Sequence, residues 1–368
     1  DLKVRVSYGV TGNSAGIGDF QNRGLYSISD SYSGRTGIRP DQLENAQLSW
    51  EEKRSTNIGV DYALFGGRVN GNLNVYRSIS DNLLLDRPLP ESSGFGEITQ
   101  NSGEVQNQGI EFEVETINVQ TRDFSWSTRL NVSVRQNEVK ELSRGQEKLD
   151  DGALLPTAVG QPIDAFEIER WAGVNPADGR PLYLDADGNL TYQPDTEDTK
   201  FFDGGQEDVI GGFGTAVSYK GFSLDAFFDF SYGQHALQNT LRSYSIAFGE
   251  NVWGELTNRW SGPGDTDAEW PRSEPFGSFD SAQDPDAFST YWLFRTQYVR
   301  LKNLRFSYRL PGTLADRVGL RGARIYVEGI NLVDWQSSPG IEPGAAGAFE
   351  EGDYPVEQQI NVGVELDL

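Results

Sequence analysis

Apolar and polar residues alternate with a period of two along most of the chain, whereas helical spacing is rare. In the first segment, Leu2, Val4 and Val6 alternate with Lys3 and Arg5. This pattern is typical of a β-strand with one apolar and one polar face. The sequence predicts ten such strands, at about 2–10, 54–64, 69–79, 107–118, 123–136, 209–219, 222–233, 296–310, 321–332 and 357–368. Between Val299 and Leu304 the apolar phase shifts by one residue, which predicts a β-bulge or a late strand start.

The connections between these strands alternate strictly between long and short. The long ones lie at about 11–53, 80–106, 137–208, 234–295 and 333–356, and the short ones at 65–68, 119–122, 220–221 and 311–320. Bacterial outer-membrane barrels have long extracellular loops and short periplasmic turns, whereas soluble sandwiches mix connection lengths. The all-β pattern therefore favours an antiparallel, up-and-down transmembrane β-barrel with a lipid-facing side, a wet lumen and a periplasmic C-terminus. A soluble, half-buried sheet explains the alternation alone equally well.

Composition narrows the function classes. The chain has 55 acidic against 31 basic residues and a formal net charge of −24, which argues against nucleic-acid binding. It has no Cys and one His, so a thiolate zinc site and a His-rich metal site are excluded, and no cofactor is predicted. The absence of Met predicts a processed chain or an excerpt of a longer one.

Several segments carry a family resemblance. They are LKVRVSYGVTGN (2–13), LSWEEKRSTNIGVDYALFGGRVNGNLNVYRSISDNLL (48–84), NSGEVQNQGIEFEVE (101–115), AGVNPADGRPLYLDADGN (172–189), GGFGTAVSYKGFSLDAFFDFSYG (211–233), YVRLKNLRFSYRLP (298–311) and YVEGINL (326–332). Spread over nearly all of residues 1–368, they resemble the C-terminal barrel part of TonB-dependent outer-membrane transporters of the SusC/RagA family. The resemblance implies about ten strands of a 22-stranded barrel, without the N-terminal plug and the first barrel strands. Leu368 departs from the family, whose last residue is usually aromatic.

The resemblance also implies a function and partners. It implies import of oligosaccharides or peptides across the outer membrane, energised by the TonB complex through the plug, with a SusD-like lipoprotein over the extracellular loops. Such a chain sits in the lipid bilayer and is not an enzyme. Two alternatives stay open, namely a siderophore receptor barrel and a surface-displayed glycan-binding β-protein.

Tryptophans in the connection 234–295 are candidate contact residues. Trp253, Trp260 and Trp270, together with Arg259, could stack on sugar rings or bind a partner protein. The alternative is that these tryptophans, with Trp292, form a core of the loop itself. Arg259-Trp260 also falls where the family has a recurrent Arg-Trp pair, which favours a structural role.

Charged residues on two neighbouring strands are predicted to line the lumen. Glu111, Glu113 and Glu115 lie on the polar face of one strand, and Arg129 and Arg135 lie on that of the next, so the sequence predicts ion pairs between the two strands. A catalytic carboxylate pair is conceivable, but alternating charges are commoner along a wet pore.

Three weaker motifs have mainly structural interpretations. Asp185, Asp187 and Asn189 could bind calcium, but the downstream Glu of an EF-hand is missing, which favours hairpin turns at the Asp-Gly steps. His235 has no visible partner and is interpreted as a strand-end residue. The glycines at 66, 67, 211, 212 and 214 are interpreted as turn and barrel-packing residues.

Overall fold

The alternating segments form one large antiparallel sheet. The computed structural model describes residues 1–28, 31–32, 34–143, 145–149, 153–243, 254–272, 287–338, 342, 347–350, 352 and 354–367. The sheet consists of β1 Leu2–Asn13, β2 Glu51–Leu64, β3 Val69–Asp81, β4 Glu104–Gln120, β5 Phe124–Glu141, β6 Val209–Tyr219, β7 Phe222–Tyr232, β8 Tyr298–Arg309, β9 Gly322–Gln336 and β10 Gln359–Asp367. Each strand pairs with its neighbours in chain order, and each of the ten predicted segments is one of these strands. Within the described ranges, β1 pairs only with β2 and β10 only with β9, so the sheet is open at both edges.

Strands β4 and β5 extend further than the alternation predicts. Strand β4 begins at Glu104 and β5 ends at Glu141, although Gln106 and Gln136 stand where apolar residues are expected. The ladder continues because backbone hydrogen bonds do not depend on side-chain polarity, whereas the period-two pattern stops where the apolar face ends.

The phase slip in β8 is a β-bulge, as predicted. Leu301 lies opposite Phe228 of β7 and Asn303 lies opposite the adjacent Phe227, so Lys302 has no opposing residue in β7. The same irregularity appears in the pairing with β9, between Leu301 and Asn303. The bulge returns the apolar residues after it to the same face as those before it.

Connections of two kinds leave the sheet at the two ends of its strands, which we call the loop edge and the turn edge. Since consecutive strands are antiparallel, the long loops 14–50, 82–103, 142–208, 233–297 and 337–358 all lie at one edge, and the turns 65–68, 121–123, 220–221 and 310–321 at the other. The turn at Lys220-Gly221 has positive φ at both residues (46° and 91°), the conformation that two-residue hairpins prefer. The positive φ of Gly66 and Gly67 confirms their predicted turn role.

Short elements are confined to the connections. The helical ones are Glu91–Ser93, Asn239–Ser243, Gly254–Thr257, Gly312–Ala315 and Asp316–Val318. The short strands are Leu25–Ser27, Ser31–Tyr32, Arg35–Thr36, Arg39–Gln42, Leu84–Pro88, Glu97–Asn101, Lys148–Leu149, Thr157–Ala158, Phe166–Ile168, Arg170–Val174, Pro181–Leu184, Leu190–Thr191, Lys200–Phe202, His235–Gln238, Leu293–Arg295 and Phe349–Glu350. Among the described residues, no helix combines the length and the apolar character needed to cross a membrane.

One face of the sheet is apolar and open to its surroundings. The register places Val4, Val60, Leu73 and Phe112 in line across β1 to β4. The same face continues through Leu130, Phe213, Phe228, Leu301, Val333, Val327 and Val362. Many of these side chains are exposed, for example Val362 at 72%. An exposed apolar surface that spans ten strands is far larger than soluble monomers tolerate.

Aromatic residues flank this apolar face at both edges. Tyr232 and Trp335, each 55% exposed, lie at the loop edge, and Tyr219, Phe222 and Trp126 lie near the turn edge. Aromatic side chains favour the boundary between an apolar layer and water. These aromatic residues therefore mark the limits of the apolar face at the loop edge and at the turn edge.

Large side chains on one strand cover glycines on the next. Tyr62 lies across Gly71 and donates from its hydroxyl to the carbonyl oxygen of Glu113 (3.2 Å), and Phe227 lies against Gly212 in the same way. The close approach is possible only because glycine has no Cβ. It confirms the packing role that the sequence predicts for Gly212.

Candidate functional site

The opposite face of the sheet is polar and cross-linked by side-chain hydrogen bonds. Arg5 of β1 donates to Asp61 of β2 (2.8 Å) and to Asn74 of β3 (3.1 Å). Asn74 in turn donates to Asn72 (2.9 Å), which donates to Glu113 of β4 (2.9 Å). This network ties four neighbouring strands together without apolar packing.

A different set of contacts orders the polar face further along the sheet. Arg129 lies over the ring of Phe227, with its guanidinium carbon 5.2 Å from the ring centroid. Arg305 lies over Tyr326 at 4.1 Å and donates to Glu365 (2.7 Å). Cation–π contacts of this kind hold a charged side chain close to the sheet.

An open cavity of about 510 Å³ lies on this polar face. Its acidic lining consists of Glu111, Glu113, Glu207 and Asp229, which come from β4, from the end of the loop 142–208 and from β7. Amide and hydroxyl groups of Asn72, Asn131, Ser133, Ser231 and Tyr298 also line it, together with Phe112, Val132, Ile210, Gly211 and Phe230. We call this feature the acidic cavity.

The predicted charged residues are only partly brought together. Glu111 and Glu113 both line the acidic cavity, whereas Arg129 lies opposite Glu115 in the register. Arg135 forms an ion pair with Glu207, and its Nε also donates to the Glu207 carbonyl (2.7 Å). The predicted pairing of Arg135 with the β4 glutamates is therefore wrong, because the approaching loop supplies a closer carboxylate.

A second, smaller cavity of about 230 Å³ adjoins the first at the loop edge, where Glu207 lines both. Its other acidic residues are Asp164, Asp203 and Asp208. Burial raises the pKa of Asp208 above its usual range, with a further contribution from the charge on Asp203. The loop edge of the polar face is therefore strongly acidic.

The long loops share one hydrophobic core. It contains Phe166 and Ile168 from the loop 142–208 and Leu237, Trp270 and Trp292 from the loop 233–297. Phe349 from the loop 337–358 packs against it. We call this cluster the loop core, and it joins three connections that are far apart in sequence into one body.

The candidate tryptophans occupy different places in these loops. Trp270 is 2% exposed and lies with its ring centroid 4.9 Å from that of Tyr291 and 5.4 Å from that of Trp292, as expected for a core residue. Trp260 donates from its indole nitrogen to the Pro176 carbonyl (3.0 Å). Arg259 forms a parallel β-bridge with Trp270. Trp253 lies outside the described residues, and ligand contact by these residues stays a prediction.

The motif with two Asp-Gly steps forms a small three-stranded sheet, as its turn interpretation predicts. Its strands are Arg170–Val174, Pro181–Leu184 and Leu190–Thr191. The Asp185 carboxylate accepts hydrogen bonds from the backbone N–H (2.7 Å) and the amide (3.1 Å) of Asn189, and these bonds lower its pKa. Within the described ranges, no cluster of three or more His, Asp or Glu residues could hold a metal ion.

Two further groups, one on β8 and one in the loop 142–208, were not singled out from the sequence. The Arg300 side chain, 5% exposed, donates to Asp334 (2.5 Å) and to Glu342 (2.5 Å), which connects the loop 337–358 to the sheet. Glu169 is partly buried beside Asp198, and burial raises its pKa to about 7. Asp334 lies opposite Arg300 in the register of β8 and β9. The contacts of Arg300 with Glu342 and of Glu169 with Asp198 have no sequence signal, because they depend on the paths of the loops.

Comparisons with known proteins agree with this architecture. Residues 1–332 match the model of the family described as "TonB dependent receptor-like, beta-barrel". TonB-dependent receptor P3 of Formosa agariphila is 31% identical over 369 residues, which cover 93% of this chain and 36% of that protein. TonB-dependent receptor SusC of Bacteroides thetaiotaomicron is 25% identical over 391 residues and is covered to 38%.

Solved structures give the same result. The RagAB peptide importer in its open-open state superposes with a TM-score of 0.83 and 27% identity, covering 100% of this chain and 40% of that one. Its closed-closed state gives a TM-score of 0.80 and 28% identity, with 41% of that chain covered. The chain thus spans well under half the length of the relatives it matches.

Proposed function

Because this chain belongs to the family of TonB-dependent receptor β-barrels, we propose that it is the C-terminal part of the barrel of an outer-membrane importer. The complete importer takes up oligosaccharides or peptides together with a SusD-like lipoprotein, and it is energised by the TonB complex through a plug outside this chain. The family is an outer-membrane family, which fits the surface of the sheet. This chain makes or breaks no bond.

The exposed apolar face is the observation that carries the proposal. Every position of this face from Leu2 to Val10 on β1 and from Ile360 to Leu366 on β10 is apolar, and the strands between them continue the band. A transmembrane strand needs about 9–11 residues at its usual tilt. Lipid is the medium that stabilises such a surface, while the polar face borders a wet lumen.

The loop edge and the turn edge give the orientation of the chain in the outer membrane. Long loops that share a folded core are suited to the extracellular side, where capture takes place, and tight turns are suited to the periplasm. In this orientation β10 runs inward, so the C-terminal end of the chain is periplasmic. The open edges of β1 and β10 then pair with the remaining strands of a 22-stranded barrel.

The lipoprotein partner and the substrate class are supported by the relatives. SusC and the RagAB peptide importer are among the proteins that this chain resembles, at 25% and 27% identity. The polar face, rich in amide and carboxylate groups, suits a hydrogen-bonding substrate such as a peptide or an oligosaccharide.

Membrane insertion is tested by adding a charge to either side of one strand. Val362 and Asn361 are adjacent in β10 and project to opposite faces. In the complete receptor, Val362→Arg costs about 2–4 kcal/mol at the membrane midplane, whereas Asn361→Arg on the lumen face is close to neutral. The readout is the amount of heat-resistant folded receptor in the outer-membrane fraction. Equal effects of the two substitutions would rule out a lipid-facing side.

Import is tested separately with a deletion strain. Uptake of labelled peptides and oligosaccharides is compared between strains with and without the receptor gene, and with and without the adjacent lipoprotein gene. Loss of uptake in both deletions supports the proposal. Growth defects under iron starvation alone would instead favour a siderophore receptor, and glycan binding without uptake would favour a surface-displayed binding protein.

A further inference from the structure

The acidic cavity contains more negative charge than the described residues around it neutralise. Arg135 pairs with Glu207, and Lys302 lies 3.5 Å from an oxygen of Asp229. Arg300, also on this face, is engaged by two other carboxylates, those of Asp334 and Glu342. The basic residues near the cavity are therefore committed elsewhere or to only two of its four carboxylates.

Among the described residues, Glu111 and Glu113 are the two carboxylates of the acidic cavity without a cation. Glu113 accepts a hydrogen bond only from the neutral amide of Asn72 (2.9 Å) at its side chain. Glu111 has no hydrogen-bond or ion-pair partner in the described part of the chain, and both residues are exposed to the cavity. Adjacent positions on one face of β4 bring these like charges close together, which costs energy unless a cation approaches.

A second observation points to a ligand at the same wall. Ser231 is 4% exposed, yet its Oγ has no hydrogen-bond partner among the described residues, and the same holds for Oδ1 of Asp229. By the alternation of β7, both side chains project from the face that carries the cavity. Buried polar atoms almost always have partners, so these oxygen atoms need a donor that the described chain does not supply.

We propose that the acidic cavity is a subsite for a positively charged group of the imported substrate, either a primary ammonium or a guanidinium. This inference rests on the proposed import function and narrows its substrate class. An ammonium is a donor-only group with three N–H bonds, and the carboxylate and hydroxyl oxygens of the wall provide matching acceptors. Charge-assisted hydrogen bonds to such a group are short and strong. Lysine- or arginine-containing peptides and amino-sugar oligosaccharides both carry this chemistry.

The test uses the complete receptor with its lipoprotein and four probes. Two are a lysine-containing peptide and the same peptide with the lysine acetylated, and two are a glucosamine trimer and its N-acetylated form. The double variant Glu111→Gln/Glu113→Gln keeps the shape of the wall and removes its unpaired charge. Glu115→Gln is the matched control, because Glu115 lies on the same face of β4 outside the acidic cavity. Ser231→Ala removes the unpartnered hydroxyl.

Affinity by calorimetry and uptake of the labelled probe are measured for each protein. The wild type binds one of the charged probes about tenfold more tightly than its acetylated form. The double variant loses this preference, Ser231→Ala reduces it severalfold, and Glu115→Gln retains it. Which charged probe binds distinguishes a peptide from an amino-sugar source.

Three results would overturn the inference. The first is equal affinity for charged and acetylated probes in the wild type. The second is an unchanged charge preference in the double variant. The third is loss of folded receptor in the double variant without charged-probe binding in the wild type, which assigns the cavity to contact with another segment of the receptor. Charged-probe binding without uptake would instead overturn the import function and leave the subsite intact, whereas uptake without charge preference does the reverse.

Discussion

Replacing Trp270 by alanine distinguishes a core role from a ligand-contact role. The side chain is 2% exposed and packs against Tyr291 and Trp292. Burial of a tryptophan removes about 150–250 Å² from water, which corresponds to about 4–6 kcal/mol at 25 cal/mol per Å². Measured losses for Trp→Ala in cores are about 3–5 kcal/mol. We therefore expect Trp270→Ala to lower the free energy of unfolding of the loop core by about 4 kcal/mol.

Hydrogen exchange in the complete receptor measures this loss. The amide of Leu237 donates to the Ala348 carbonyl (2.9 Å), and the amide of Glu167 donates to the Leu154 carbonyl (3.0 Å). These two amides lie in different loops that share the loop core. If the core opens as one body, a loss of about 4 kcal/mol speeds exchange at both amides nearly a thousandfold.

Trp50→Ala is the matched control, since Trp50 is 58% exposed and lies in a different loop. It is expected to change exchange at Leu237 and Glu167 by less than about twofold. The reasoning is refuted if Trp270→Ala leaves exchange unchanged while weakening substrate binding. Faster exchange at Leu237 alone would refute the shared core.

Three further predictions concern the sheet and the loops. Gly71→Ala places a Cβ against the backbone carbonyl of the neighbouring β4, so the heat-resistant folded band on a gel decreases. Gly312→Ala is the control, because Gly312 lies in the turn 310–321 with open space around it, and it leaves the band unchanged. The pKa of Glu169 is raised from 4.5 to about 7, so between these pH values the folded loop holds a proton that the unfolded loop releases. The stability of the loop, measured as its protection in hydrogen exchange, therefore falls as the pH rises from 4.5 to 7. Glu169→Gln removes this pH dependence. Glu342→Ala leaves the buried guanidinium of Arg300 with one carboxylate instead of two and removes the acceptor of the Val356 amide (3.0 Å). We expect the free energy of unfolding of this loop to fall by about 3 kcal/mol and the Val356 amide to exchange faster. Unchanged exchange would contradict the conclusion that Glu342 connects the loop 337–358 to the sheet.

The strands of the sheet can be predicted from the sequence because the polarity of each residue reflects the surroundings of its side chain. On β1, the alternation of Val4 and Val6 with Arg5 follows directly from the apolar and polar faces of the sheet. The bulge at Lys302 is readable for the same reason, since it shifts the apolar phase. Strand ends are less accurate, because β5 continues to Glu141 after the apolar face has ended.

The loop core is not readable in this way. Phe166, Leu237 and Phe349 meet in space but are separated by long segments without a common period. The contact between Arg135 and Glu207 joins residues 72 positions apart, and the path of the loop between them decides it. Local alternation therefore predicts the wall of the barrel, whereas the partners of individual charges depend on tertiary structure.

The fusion of three connections into one loop core affects how the surface is recognised by antibodies. Residues near Ile168, Leu237 and Phe349 present a joint surface only while the cluster is folded. An antibody raised against this surface of the native receptor binds a discontinuous epitope. Synthetic peptides copied from any single connection therefore compete poorly for binding to that antibody. Immunisation with such peptides correspondingly yields sera that stain denatured receptor on a blot but do not bind the native receptor.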